Sequence, residues 1–112
     1  MIVRIWQGVV PRERGYFYFE YLKKTRITDY FSIKGNLGIQ ALRRVEHDKT
    51  HFLIITFWDS VDSIKKFAGE NYTEAHRYPG DEDYFLEDES VNHYDLAYTT
   101  INDSLFVNPI DS

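Results

Sequence analysis

Four histidines and two tryptophans have the widest chemical reach in this chain, and none of its 112 residues is cysteine. Disulfides, thiolate nucleophiles and cysteine-based metal sites are therefore excluded. His76 lies in FAGENYTEAHRYPGDEDYF, residues 67–85. An imidazole titrates at about pH 6.5, so His76 can act as a base or a metal ligand. The plainer reading is a solvated histidine beside Glu74 and Arg77. His93 falls mid-strand next to Tyr94, where an imidazole can hydrogen-bond a substrate oxygen or take its proton. A satisfied interior or interface histidine fits that position equally well. His47 and His51 have the spacing of a zinc-binding helix, but a predicted turn separates them, so no metal site is expected.

Trp6 and Trp58 can line a pocket for an aromatic ligand, with their indole N–H groups as donors. Taken singly, each reads more simply as core. Nine tyrosines and eight phenylalanines exceed what a small core needs. Such a surplus points to a lined pocket or a subunit interface. The run YFYFEYL, residues 16–22, has helical spacing and reads as core before pocket wall. GDEDYFLEDES, residues 80–90, reads as a solvated acidic loop, since it lacks the glycine placement of a calcium-binding loop. Within it, Tyr84, Phe85 and Leu86 are expected to anchor the loop to the sheet or to a partner subunit.

The net charge is −5 with no basic run, which argues against nucleic-acid binding. The N-terminus lacks the pattern of a signal peptide, and no apolar run approaches the ~20 residues of a membrane helix. A cytoplasmic protein is expected. By length it is one domain, residues 1–101, followed by a tail, residues 102–112.

These residues need elements to position them. Ile2 to Val10 reads as a strand, with Ile2, Arg4, Trp6 and Gly8 on one face and Val3, Ile5, Gln7 and Val9 on the other. Arg12 to about Arg26 reads as a helix, and TDYFSIKGN, residues 28–36, as a non-helical connection. Leu37 to His47 and His51 to Trp58 read as an antiparallel hairpin. Asp59 or Ser60 can cap a helix bearing Val61, Ile64, Phe67 and Ala68, which Gly69 ends. A short helix is predicted over Thr73 to Tyr78, and a fourth strand over Val91 to Ile101. The order βαββαβ specifies an α+β, ferredoxin-like fold: a four-stranded antiparallel sheet with its helices on one face. The other face still carries apolar side chains, which predicts a homodimer.

At IWQGVV (5–10), KGNLG (34–38), ITFWDSVDSIKKFAG (55–69), EAHRYP (74–79) and VNHYDL (91–96) the chain resembles the antibiotic biosynthesis monooxygenase superfamily of dimeric α+β barrels. The resemblance implies a pocket between sheet and helices, and two facing sheets in a homodimer. It implies cofactor-independent oxygenation of a small aromatic substrate, with His76 or His93 aiding ionisation. Asn36, Trp6, Trp58 and Tyr84 are then the counterparts of the substrate-binding residues, and Phe67 is expected to bind substrate with them. Two alternatives go with it: a non-catalytic barrel binding a small hydrophobic ligand, and a heme-binding or heme-degrading protein. The heme-degrading branch uses an asparagine, a tryptophan and a histidine. The positions here are Gln7, Phe67 and His76, of which only the histidine matches.

Overall fold

The computed structural model describes residues 1–75, 78, 84–87 and 89–101. The strands are β1 (Ile2–Pro11), β2 (Asn36–Glu46), β3 (Lys49–Trp58) and β4 (Ser90–Asp95). They form one antiparallel sheet in the order β2-β3-β1-β4. A short 3-10 turn (Arg12–Arg14) leads into α1 (Gly15–Lys24); α2 (Arg26–Ser32) follows, and α3 (Val61–Ala68) joins β3 to β4. This is the ferredoxin-like arrangement that the sequence predicts.

The alternation in β1 and β3 dictates which side the helices cover. Arg4 pairs in register with Thr56, Trp6 with Ile54 and Gly8 with Phe52. These residues point to one face because successive side chains in a strand alternate. Trp6, Val10, Phe52, Ile54 and Trp58 there meet Tyr18 and Leu22 of α1, Tyr30 of α2 and Ile64 of α3 in a single core. Burying each large apolar side chain contributes about 1.5–3 kcal/mol. That total must offset the desolvation of Arg4 and Arg26, which are also fully buried, at several kcal/mol per ion.

No described helix covers the opposite face. Ile5, Leu53, Ile55 and Phe57 are half-exposed there, while Leu42 is 47% and Tyr94 55% exposed. The two-sided apolar pattern of the central strands thus has two meanings: a packed core on one side and an open apolar surface on the other.

Ser60 caps α3, its side chain accepting a hydrogen bond from the Ser63 N–H at 3.2 Å. Asp59 accepts from the Ser63 and Ser60 hydroxyls at 2.6 and 3.0 Å. Those bonds hold its carboxyl below the ordinary value. Gly69 ends the helix at φ +77°, a conformation that glycine adopts without steric cost.

Three expectations are corrected. Residues 26–32 are helical rather than a connection: the chain breaks only at Thr25 (φ −113°, ψ −90°) and resumes as α2. Burying Tyr30 and Arg26 overrides the weak local propensity of the Thr- and Asp-bearing sequence. Asn71–Glu74 form a turn, closed by Glu74 N–H to Asn71 O at 3.0 Å, where a helix from Thr73 was predicted. β4 stops at Asp95 instead of Ile101. Asp95 pairs with Ile2, the first residue of β1. The Leu96 N–H then takes the Met1 carbonyl at 3.0 Å, one residue before the start of β1. The tail, residues 102–112, lies outside the described residues, as does His76.

Candidate functional site

Arg4 is the unusual residue of the helix-covered layer. It enters a run of apolar neighbours because strand alternation places it on the same face as Trp6. Its guanidinium is fully buried and forms no ion pair among the described residues. Nη1 donates to the Tyr72 carbonyl at 2.5 Å and meets His93 Nε2 at 3.0 Å. The Phe67 ring lies 5.9 Å from its central carbon, a cation–π contact. Nε and Nη2 have no hydrogen-bond partner among the described residues. The sequence reading passed over Arg4. The available signal was a lone cation on the face shared by Ile2, Trp6 and Gly8.

His93 is brought to Arg4 by the β1–β4 register. An arginine only donates, so His93 Nε2 accepts and the ring proton sits on Nδ1. Burial, and then the positive charge of Arg4, hold the imidazole below its usual value. At neutral pH it is an uncharged ring that orients the guanidinium. The Tyr72 ring packs edge-on against it at 5.2 Å.

Trp6 occupies the next position along the strand. Its indole N–H is buried and has no hydrogen-bond partner among the described residues. The ring folds back over Gly8, where a Cβ would lie 2.5 Å from the indole edge. Only glycine lets the ring lie there. Tyr18 and Phe85 flank it at 6.5 and 6.1 Å, and Tyr84 stacks beyond them, 5.0 Å from Tyr18 and 5.8 Å from Tyr21. Phe85 thus anchors the acidic segment to the sheet through Trp6, as expected, while Tyr84 anchors it to α1, which the sequence does not predict. Leu86 is tied through its backbone N–H to the Val9 carbonyl at 2.8 Å, and Glu87 pairs with Lys49 at 2.9 Å.

Arg26 covers the Trp6 ring at 4.6 Å and faces the Tyr78 ring at 5.0 Å. It pairs with Glu89 at 3.4 Å, with both side chains buried. Tyr78 donates a hydrogen bond to Asp29. Burial, and then that bond, push its phenol well above the ordinary range. This arginine also escaped the sequence reading, because its carboxylate lies 63 residues away.

Among the residues singled out from sequence, the structure gathers Phe67 and His93 at Arg4, and Trp6 and Tyr84 in the adjoining aromatic cluster. Trp58 is separate in function. Its indole donates to Thr56 Oγ1 at 2.8 Å, and Thr56 donates to the Arg4 carbonyl at 3.1 Å. Tyr30 meets Trp58 edge-on at 6.0 Å and Phe67 at 4.5 Å, and its buried hydroxyl has no hydrogen-bond partner among the described residues. Asn36 starts edge strand β2 and donates to the Phe57 carbonyl at 3.5 Å, a strand-end role away from Arg4. Among the described residues, no three His, Cys, Asp or Glu side chains stand close enough to hold a metal ion. No described helix is long and apolar enough to cross a membrane.

No protein-family model matches the sequence, and no curated protein matches it. Solved structures do match the fold. A Bacillus cereus protein assigned as an antibiotic biosynthesis monooxygenase is 12% identical, covering 90% of this chain and 95% of its own at a TM-score of 0.63. A Deinococcus radiodurans protein with the same assignment is 16% identical, over 91% and 97%, with a TM-score of 0.64. The heme-degrader MhuD from Mycobacterium tuberculosis, with two hemes in its active site, is 20% identical, over 89% and 99%, with a TM-score of 0.61. The chain has the antibiotic biosynthesis monooxygenase fold.

The same fold carries heme in MhuD, so the fit of heme to these residues can be judged. Gln7 is exposed on the open face of the sheet, away from the helix-covered layer, so it is not a pocket amide. Trp6 points inward instead. Phe67 reaches the layer but carries no N–H. His93 gives its Nε2 to Arg4, and His51 pairs in register with Val9 on the open face. His76 lies outside the described residues. The described side chains do not fit heme, and no chemistry is derived through it.

Proposed function

We propose that this protein is a cofactor-independent monooxygenase that oxidises a small, electron-rich aromatic substrate between its sheet and helices. The observation that carries this reading is a set of buried donors lacking partners among the described residues: Trp6 Nε1, Tyr30 OH and the Arg4 edge. Burying a donor without an acceptor costs about 1–3 kcal/mol. Several in one aromatic layer favour a ligand that brings oxygen atoms.

Donors aimed at a substrate oxygen stabilise its anion in a site shielded from water. An ionised phenol of the anthrone type passes one electron to O2, and the radical pair combines at the ring carbon. The resulting hydroperoxide loses water. The carbon loses two hydrogens and keeps one oxygen atom, and the second oxygen leaves as water. His76 is proposed, on sequence grounds, as the proton acceptor, and His93 as the residue that holds Arg4. Incubation with anthrone-type phenols should consume O2 and form the quinone. An absence of O2 consumption across a panel of such phenols would sink the reading.

The fully buried positions of Trp6, Tyr18 and Tyr30 favour a second reading, a non-catalytic barrel that binds a small hydrophobic molecule. It predicts ligand binding with no O2 consumed.

Either activity is proposed to belong to a homodimer closed through the open sheet face, since a contiguous apolar surface of this kind is covered in most soluble proteins. Ile55→Glu, at its centre, should convert a dimer to the 13.4 kDa monomer in sedimentation. A wild-type chain that already sediments as a monomer contradicts the assembly.

A further inference from the structure

Arg4 carries more information than a hydrogen-bond donor of unspecified use. The chain has 18 acidic and 13 basic residues, so carboxylates are plentiful. Arg26 uses one of them. Arg4, equally buried, uses none among the described residues and is met by two neutral groups, the Tyr72 carbonyl and the uncharged His93 ring. Both contact Nη1. The two nitrogens left over are Nε and Nη2. They form one edge of the guanidinium, with parallel N–H bonds that match the two oxygens of a carboxylate. A single phenol oxygen fills that edge less well.

The chemistry surrounding this edge is aromatic. Phe67 contacts the guanidinium, Tyr72 supplies its carbonyl, and the Tyr72 ring stacks edge-on against His93. These three residues touch Arg4 or each other and are themselves partly exposed, so they lie between solvent and the cation. An incoming molecule meets rings first and the charge last.

We propose that Arg4 is a carboxylate-binding residue: the site takes a planar aromatic acid, its carboxylate held bidentately by Arg4 Nε and Nη2 and its ring set against Phe67 and Tyr72. This rests on the reading that the layer between sheet and helices binds a small molecule. His93 acts as a positioning residue. By accepting from Nη1 it turns the fork of Nε and Nη2 toward the ligand. The ligand supplies the counter-charge that the described residues do not.

The test is equilibrium binding, which is independent of oxygen chemistry. Wild-type protein is titrated at pH 7.5 with 2-naphthoate and with its neutral isostere 2-naphthamide, followed by tryptophan fluorescence and checked by calorimetry. The acid should bind at least about tenfold more tightly than the amide, as expected for charge-assisted hydrogen bonds. Arg4→Lys keeps the charge and loses the fork, so it should lower that ratio; Arg4→Met removes both and should bring it close to one. Far-UV circular dichroism confirms that each variant is folded. His93→Ala should lower the ratio, and His93→Gln, whose side-chain oxygen can accept the same hydrogen bond, should restore it. Equal binding of acid and amide by the wild type overturns the proposal, as does an unchanged ratio in folded Arg4→Lys. Failure of both probes to bind at millimolar concentration also overturns it. Naphthoate binding in a protein that consumes no O2 leaves the carboxylate site standing and removes the oxygenase reading.

Discussion

Arg4 and Arg26 are two fully buried cations bordering the same aromatic layer, and they are treated in opposite ways. Arg26 has Glu89 as counter-ion, Trp6 and Tyr78 as aromatic faces, and a neighbouring Tyr78–Asp29 hydrogen bond. Arg4 has a backbone carbonyl, a neutral imidazole and one phenylalanine ring. A buried charge with its counter-ion is a structural unit that pins distant segments together. A buried charge without one is a cost that folding alone gives no reason to keep. The difference separates a part that holds the fold together from a part suited to receive something.

The largest test of that contrast is Glu89→Gln. It removes the Glu89 charge that faces the buried Arg26 and should cost about 3–5 kcal/mol of stability in urea unfolding. A loss below about 1 kcal/mol would mean that the pair holds little. Next are two tyrosine hydroxyls, one on each side. Tyr78→Phe removes a hydrogen bond to a carboxylate and should cost about 1.5–3 kcal/mol. Tyr30→Phe removes a hydroxyl with no partner among the described residues and should leave stability unchanged or slightly raised. Equal losses from both would erase the distinction.

Arg4→Met replaces a cation with no counter-ion among the described residues by an apolar side chain of similar length. Stability should change by less than about 1 kcal/mol or rise. A loss like that of Glu89→Gln would make Arg4 a structural residue. The smallest effect is pH dependence at His93. Its folded value is depressed, so above its unfolded value of about 6.5 both states are neutral and it contributes no slope. As pH falls below that value the unfolded chain takes the proton first, and stability declines until the folded imidazole also titrates. His93→Gln should flatten this part of a melting-temperature profile between pH 8 and 5. In Arg4→Met the His93 titration followed by NMR should move upward. A downward move would reverse the sign assigned to the Arg4 charge.

Much of the fold was legible in sequence. Alternation in β1 and β3, the Ser60 cap and the Gly69 stop specified the sheet and α3. What local pattern missed depends on contacts far apart in the chain. α2 forms because Tyr30 reaches Trp58 and Phe67, which its own residues do not signal. β4 ends where β1 begins, a fact about pairing rather than composition. The candidate site was legible in part. Trp6, Phe67, Tyr84 and His93 were marked as ring and imidazole chemistry, and all face the covered layer. Gln7 was placed by position along the strand, although its own alternation puts it on the open face. The arginines were missed because a charged residue in sequence reads as solvated, and only the register shows what surrounds it.

Trp6 and Trp58 differ in one bond: the indole of Trp58 is tied within β3, and that of Trp6 has no hydrogen-bond partner among the described residues. The protein therefore carries two indole N–H resonances with separate duties in a proton–nitrogen correlation spectrum. One reports the frame of the sheet and should hold still through a titration. The other should shift when the proposed ligand enters, which would make it an internal indicator of occupancy, readable without labelling the ligand.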